Sequence, residues 1–124
     1  MNKKRPINLD LGTMKFPAMA IASILHRVSG TVLFLLLPMI LYFLSLSLKN
    51  AQSFLHLQEM VAAPRFKILL WVFGAALIYH LTAGIRHLLM DLGVGEGLPA
   101  GRYSALLVIG LSIVLTLLLG VWIW

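Results

Sequence analysis

A histidine, His80, stands well inside an apolar stretch running from Ile68 to Ile85. An imidazole placed there loses its water and must find a partner, so an ionisable residue within a membrane span is a functional candidate by default. The partners that best suit a neutral imidazole are a metal ion or a haem iron. On a helix, His87 and Asp91 each return to within about 20° of His80, so one stripe carries all three. Gly84 lies between the two histidines and leaves a side-chain-free patch where a flat macrocycle or another helix can approach. His80 and His87 are roughly 10 Å apart along the axis, too far to share one ion. The spacing suits an iron ligand at mid-depth with a polar group nearer the surface.

A haem with two axial ligands needs a second donor at the same depth, and no other histidine of this chain is expected there. Met39 is the internal candidate. A methionine beside Pro38 also reads as apolar filler, so a histidine from a second chain fits better, and a haem would then imply a hetero-oligomer. The competing reading is structural: His80 bonds a carbonyl of a neighbouring helix, Gly84 is a packing notch, and Arg86 and His87 snorkel to the interface. On the residues alone both readings stand.

Ser23 and Arg27 make a second constellation. They are spaced i, i+4 on one helix face, about 6 Å apart along the axis. A permanently charged guanidinium stabilises an anionic oxygen and a hydroxyl donates to a carbonyl, which suits the head group of a quinone reduced one electron at a time. His26 points to an adjacent face, within reach of a haem propionate. The alternative is that Arg27 marks the cytoplasmic end of a span and Ser23 merely packs.

The elements that hold these groups follow from composition. Of 124 residues, 60% are hydrophobic and 11% charged, with a mean hydropathy of +0.97. That is far from the soluble mix and reads as an integral membrane protein. Val28 to Leu48, Ile68 to Ile85 with its pattern continuing to Leu92, and Tyr103 to Trp124 each approach or exceed the roughly 20 apolar residues a spanning helix needs. The fold class expected is all-α, a bundle of three transmembrane helices over residues 18–48, 64–92 and 103–124. Residues 1–17 are expected as a cytoplasmic surface segment, 49–63 as an outer loop with a short amphipathic pattern, and 93–102 as a glycine-rich cytoplasmic loop. Pro17 and Pro64 suit helix starts, Pro38 predicts a kink, and Trp122 and Trp124 predict an outer interfacial anchor.

The net charge of +6 is scattered at helix ends rather than gathered into a basic face, so nucleic acid is not an expected partner. Lys3, Lys4, Arg5, Lys15, Arg27, Arg86 and Arg102 fall on one side, against Lys49, Arg65 and Lys67 on the other. Seven against three predicts a cytoplasmic N-terminus by the positive-inside rule. With no cysteine, the chain holds neither a disulfide nor a Cys-ligated iron-sulfur cluster. Ala20-Ile21-Ala22 precedes the apolar run instead of following it, so no cleaved signal is expected, and no Arg- and Ser-rich transit peptide is read either. His56 has no assigned role.

Three blocks of residues carry a resemblance: Arg5 to Leu11 (RPINLDL), Ser23 to Gly30 (SILHRVSG), and His80 through Gly84-Ile85-Arg86-His87 to Gly93. In order, spacing and three-helix frame the chain resembles the cytochrome b membrane-anchor subunit of bacterial succinate dehydrogenase, respiratory complex II. The resemblance implies that His80 is one axial ligand of a haem b whose iron takes its other ligand from a companion membrane-anchor subunit. It implies that Ser23 and Arg27 serve a quinone site for ubiquinone, with Arg27 also near a haem propionate. His26 and His87 would be supporting residues at a propionate or behind the ligand. It further implies an iron-sulfur subunit and a flavoprotein subunit docked on the cytoplasmic face, contact with membrane lipid, and a place in the bacterial inner membrane. A fumarate reductase anchor running the reaction in reverse is the near alternative. A small transporter relaying protons through His80 is the rival of another class.

Overall fold

The computed structural model describes residues 17–124. The expected surface segment and the block Arg5 to Leu11 fall almost wholly outside it. The described residues form four helices and no strand: α1 Ala18–Lys49, α2 Ala51–Ala62, α3 Pro64–Asp91 and α4 Leu98–Ile123. Three of these, α1, α3 and α4, are long and apolar enough to cross a membrane.

Local chemistry explains the breaks. Pro17, extended at φ −67° and ψ 157°, precedes α1, and the helix then runs on through Pro38 without a break. Asn50 divides α1 from α2 with a reciprocal cap: its side chain accepts from the Ser53 N–H at 2.8 Å, and the Ser53 hydroxyl accepts from the Asn50 N–H at 3.2 Å. The same hydroxyl donates back to the Leu46 carbonyl at 2.7 Å, so the corner is tied on both sides. Residues 49–63 are therefore not a plain loop. The amphipathic pattern noted there is a helix of 12 residues, nucleated by that cap. Pro64 opens α3, and Gly93 and Gly95 supply the left-handed conformations (φ 85° and 71°) that turn the chain toward α4. Helix α4 begins at Leu98, five residues before the expected Tyr103. Gly97, Pro99 and Gly101 read as loop by composition, yet Pro is well placed in a first helical turn.

Packing follows membrane rules. The buried positions are mostly small, with Ala22 and Ala105 at 0% exposure and Ala83 at 1%, while large apolar side chains point outward. Helix α3 is central and packs against both α1 and α4. Glycines make the close approaches: a Cβ at Gly120 would lie 3.1 Å from Trp71 Nε1, and one at Gly74 would collide with Leu119. Interhelical hydrogen bonds add specificity. The Trp71 indole donates to the Thr116 carbonyl at 2.8 Å, Thr82 and Ser112 share a hydroxyl bond at 2.9 Å, and Tyr79 donates to the Ala22 carbonyl at 2.7 Å.

Arg86 differs from its expected snorkelling. It is 6% exposed, with Nε donating to Ser104 Oγ at 2.9 Å and Nη2 to the Gly101 carbonyl at 3.2 Å. The reason is rotational, since six residues beyond His80 place Arg86 about 120° away, on the face turned to α4.

Gly110 offers an internal control on the glycine packing, because no atom lies within 4 Å of a Cβ built there. Gly120→Val should destabilise the detergent-solubilised assembly by about 1–3 kcal/mol through overpacking against Trp71. Gly110→Val should leave its thermal midpoint unchanged; equal shifts would contradict this α3–α4 interface.

Candidate functional site

The site forms where the first turns of α1 meet the last turns of α3. The two helices run in opposite directions, so residues 23–30 of α1 lie beside residues 80–87 of α3. His80 leans toward α1, where its Nδ1 lies 3.1 Å from Ser29 Oγ and 3.3 Å from the His26 carbonyl oxygen. The edge of its ring rests on Gly30, where a Cβ would lie only 3.1 Å from Cε1. His26 makes the reverse approach, with Nε2 at 3.5 Å from the point where a Gly84 side chain would begin. Each helix thus carries a glycine facing the other's imidazole.

Two imidazoles stack as a result, and a third lies tilted beside them. The His26 and His80 rings lie 4.2 Å apart and nearly parallel at 12°, and the His87 ring lies 5.1 Å from that of His26, tilted by 58°. This corrects the expectation that no second histidine of the chain lies level with His80. Depth along one helix says nothing of the register between two, and that register brings His26 against His80. The close approach expected at Gly84 is made by another helix, α1, through the His26 ring, and Gly84 also lines the adjoining groove.

The stack does not chelate. Parallel rings aim their nitrogen lone pairs side by side instead of converging on a point, and no group of three His, Asp or Glu side chains among the described residues is arranged to hold an ion. Met39 lies nine residues beyond Gly30, roughly 14 Å along α1, far from the His80 ring. Only Nδ1 of His80 makes hydrogen bonds among the described residues, leaving Nε2 unengaged.

Beside the stack runs a groove of about 350 Å3 lined by His26, His80, Leu81, Gly84, Ile85, His87 and Leu88. Its walls are nearly all apolar, and Leu81, Ile85 and Leu88 are exposed along its rim. One imidazole nitrogen unengaged, an apolar surface for a flat ring and no competing chelate suit a haem iron. Ser23 is half-buried and Arg27 exposed at the same end of α1. No side-chain hydrogen bond among the described residues joins either to the stack, and the Arg27 carbonyl accepts from Thr31 at 3.2 Å. Asp91 is exposed at the end of α3, one turn beyond His87, and His56 is exposed on α2 at the other end of the bundle.

Two participants were missed by the reading of the sequence, Ser29 and Gly30. Both follow His26 by the three and four residues that return to one helix face, which was the available signal.

A family described as the succinate dehydrogenase/fumarate reductase transmembrane subunit matches residues 1–119 of the chain. The chain belongs to this family. As a succinate dehydrogenase/fumarate reductase transmembrane subunit with three long apolar helices, it is a multi-pass membrane subunit of an enzyme complex. Among curated relatives, a succinate dehydrogenase cytochrome b556 subunit from Coxiella burnetii is 49% identical over the full length of both chains. Proteins of the same description from Rickettsia typhi and Paracoccus denitrificans are 37% and 32% identical, covering 95% and 92% of this chain and 92% and 88% of their own.

Because the rings stack rather than converge, stripping divalent metal with EDTA should leave the thermal midpoint of the purified assembly unchanged. A fall on chelation, restored by zinc, would show instead that the three histidines close on an ion.

Proposed function

We propose that this transmembrane subunit is the haem b-carrying, quinone-binding anchor of a succinate:quinone oxidoreductase, on the route of electrons from an iron-sulfur subunit to ubiquinone. The observation that carries the reading is His80, held by α1 with one nitrogen unengaged beside an apolar groove. The relatives named as cytochrome b556 subunits supply the haem, and all three named relatives are succinate dehydrogenase subunits, which favours that direction over fumarate reduction.

His80 would supply one ligand to the haem iron. The second is proposed to come from a companion membrane-anchor subunit, because His26 is stacked and Met39 is distant. The relatives' names mention no such subunit, so this partner rests on the donor count alone. The exposed rim of Leu81, Ile85 and Leu88 is the surface such a subunit would cover. When bound, the haem supplies a one-electron store between the two subunits.

His26 and His87 sit on the side of the stack nearer the start of α1, suited to hydrogen-bonding propionates. Arg27 and Ser23 are proposed to hold the quinone head group at that membrane surface, where Arg27 offsets developing negative charge and Ser23 donates to a carbonyl oxygen. The iron-sulfur and flavoprotein subunits would dock at this end, on the cytoplasmic face of the bacterial inner membrane, in keeping with the excess of Lys and Arg expected there. A proton relay is less well supported, since none of the stacked histidines bonds a carboxylate among the described residues.

His80→Ala should abolish the haem bands in a reduced-minus-oxidised spectrum of the purified complex; retention of the wild-type bands would sink the ligand assignment. Arg27→Ala should slow quinone reduction by roughly 10-fold to 100-fold, the loss of one charge-assisted hydrogen bond, while succinate oxidation by an artificial acceptor is unchanged. Equal quinone reductase activity in the two proteins would remove Arg27 from the site.

A further inference from the structure

We infer that Ser29 is the positioning residue for His80, fixing Nδ1 as its protonated nitrogen and so presenting Nε2 as the atom that binds iron. This rests on the haem reading above and adds to it a named partner and a direction of polarity.

The argument is one of proton counting. The Ser29 hydroxyl has a single proton, and its Oγ lies 2.7 Å from the His26 carbonyl oxygen, which can only accept. That proton is therefore committed to His26. Toward His80 Nδ1, 3.1 Å away, Oγ is left as an acceptor, and the ring nitrogen must donate. A second acceptor enforces the choice, because the His26 carbonyl oxygen itself lies 3.3 Å from the same nitrogen. In the opposite tautomer the Nδ1 lone pair would face that carbonyl, and Ser29 would have to leave its shorter bond in order to donate to the ring. Both oxygens thus select Nδ1–H and leave the lone pair on Nε2.

Sterics fix what the hydrogen bond does not. Ser29 is 6% exposed, and its back-bond to His26 holds the hydroxyl against its own helix. Gly30 next to it seats the Cε1 edge of the His80 ring, where a Cβ would stand 3.1 Å away. Adjacent residues of α1 thereby set the rotation and the tautomer of one ligand on α3. A ligating imidazole that donates its other N–H becomes more basic, which favours ferric over ferrous iron.

The test uses the intact complex with Ser29→Ala and Ser29→Thr. Ser29→Ala should weaken haem retention roughly 10-fold to 100-fold on titration with a competing apo-haemoprotein, and should move the haem midpoint potential to a more positive value. Ser29→Thr keeps the hydroxyl and should restore both, with co-purification of partner subunits unchanged throughout. An alanine variant with wild-type potential and retention would overturn the assignment while leaving His80 as the ligand. Parallel losses in both variants, accompanied by loss of partner subunits, would reduce Ser29 to a packing residue and overturn it equally. A wild-type complex with no haem bands would instead fail the haem reading itself.

Discussion

The arrangement depends on two imidazoles passing each other between α1 and α3. Each ring faces a glycine: a Cβ at Gly30 would crowd the His80 ring at 3.1 Å, and one at Gly84 would already be in van der Waals contact with His26 at 3.5 Å. This reciprocal exchange sets how closely the two helices approach and fixes their register to within a turn. The α3–α4 contact repeats the device with different chemistry, Gly120 admitting the Trp71 indole and Gly74 admitting Leu119. A membrane bundle gains little by sorting apolar from polar, because lipid is as apolar as leucine. Close contact at glycine and alanine, and a few interhelical hydrogen bonds, must do that sorting instead.

Much of this was readable from residue order alone. The long apolar runs, the proline starts and the isolation of His80 in hydrocarbon are properties of single helices, and the three spanning helices follow from them. What the sequence did not disclose is relational. That His26 lies level with His80 depends on how far α1 slides along α3, and no hydropathy window carries that information. The burial of Arg86 depends on which helix covers its face, and a charge near a helix end looks the same whether it snorkels or turns inward. Helix α2 was visible as an amphipathic pattern, but its cap spans Asn50 and Ser53, and two polar residues beside a lysine read more readily as loop.

The stacked histidines also separate two roles that composition alone would merge. Three imidazoles close together suggest a metal centre, yet two of them lie nearly parallel with the third tilted against them, and the hydrogen bonds of the cluster engage one nitrogen of His80. If His80 is the haem ligand proposed above, a groove whose rim is apolar and exposed would make the cofactor the seam of a multi-subunit assembly. On this reading the quinone residues near the start of α1 sit on the same helix that orients the haem ligand. A change in the tilt of α1 would then alter both.

The burial of Arg86 bears on how such a chain enters a bilayer. Its acceptors, Ser104 and the Gly101 carbonyl, both belong to the beginning of α4. Were α3 to partition into lipid by itself, the guanidinium would arrive with no partner or would drag the helix toward the surface. Entering together with α4 as a hairpin, the charge is solvated by protein oxygens from the outset. The second and third spans are in this sense coupled, with the burial of one arginine depending on the presence of both.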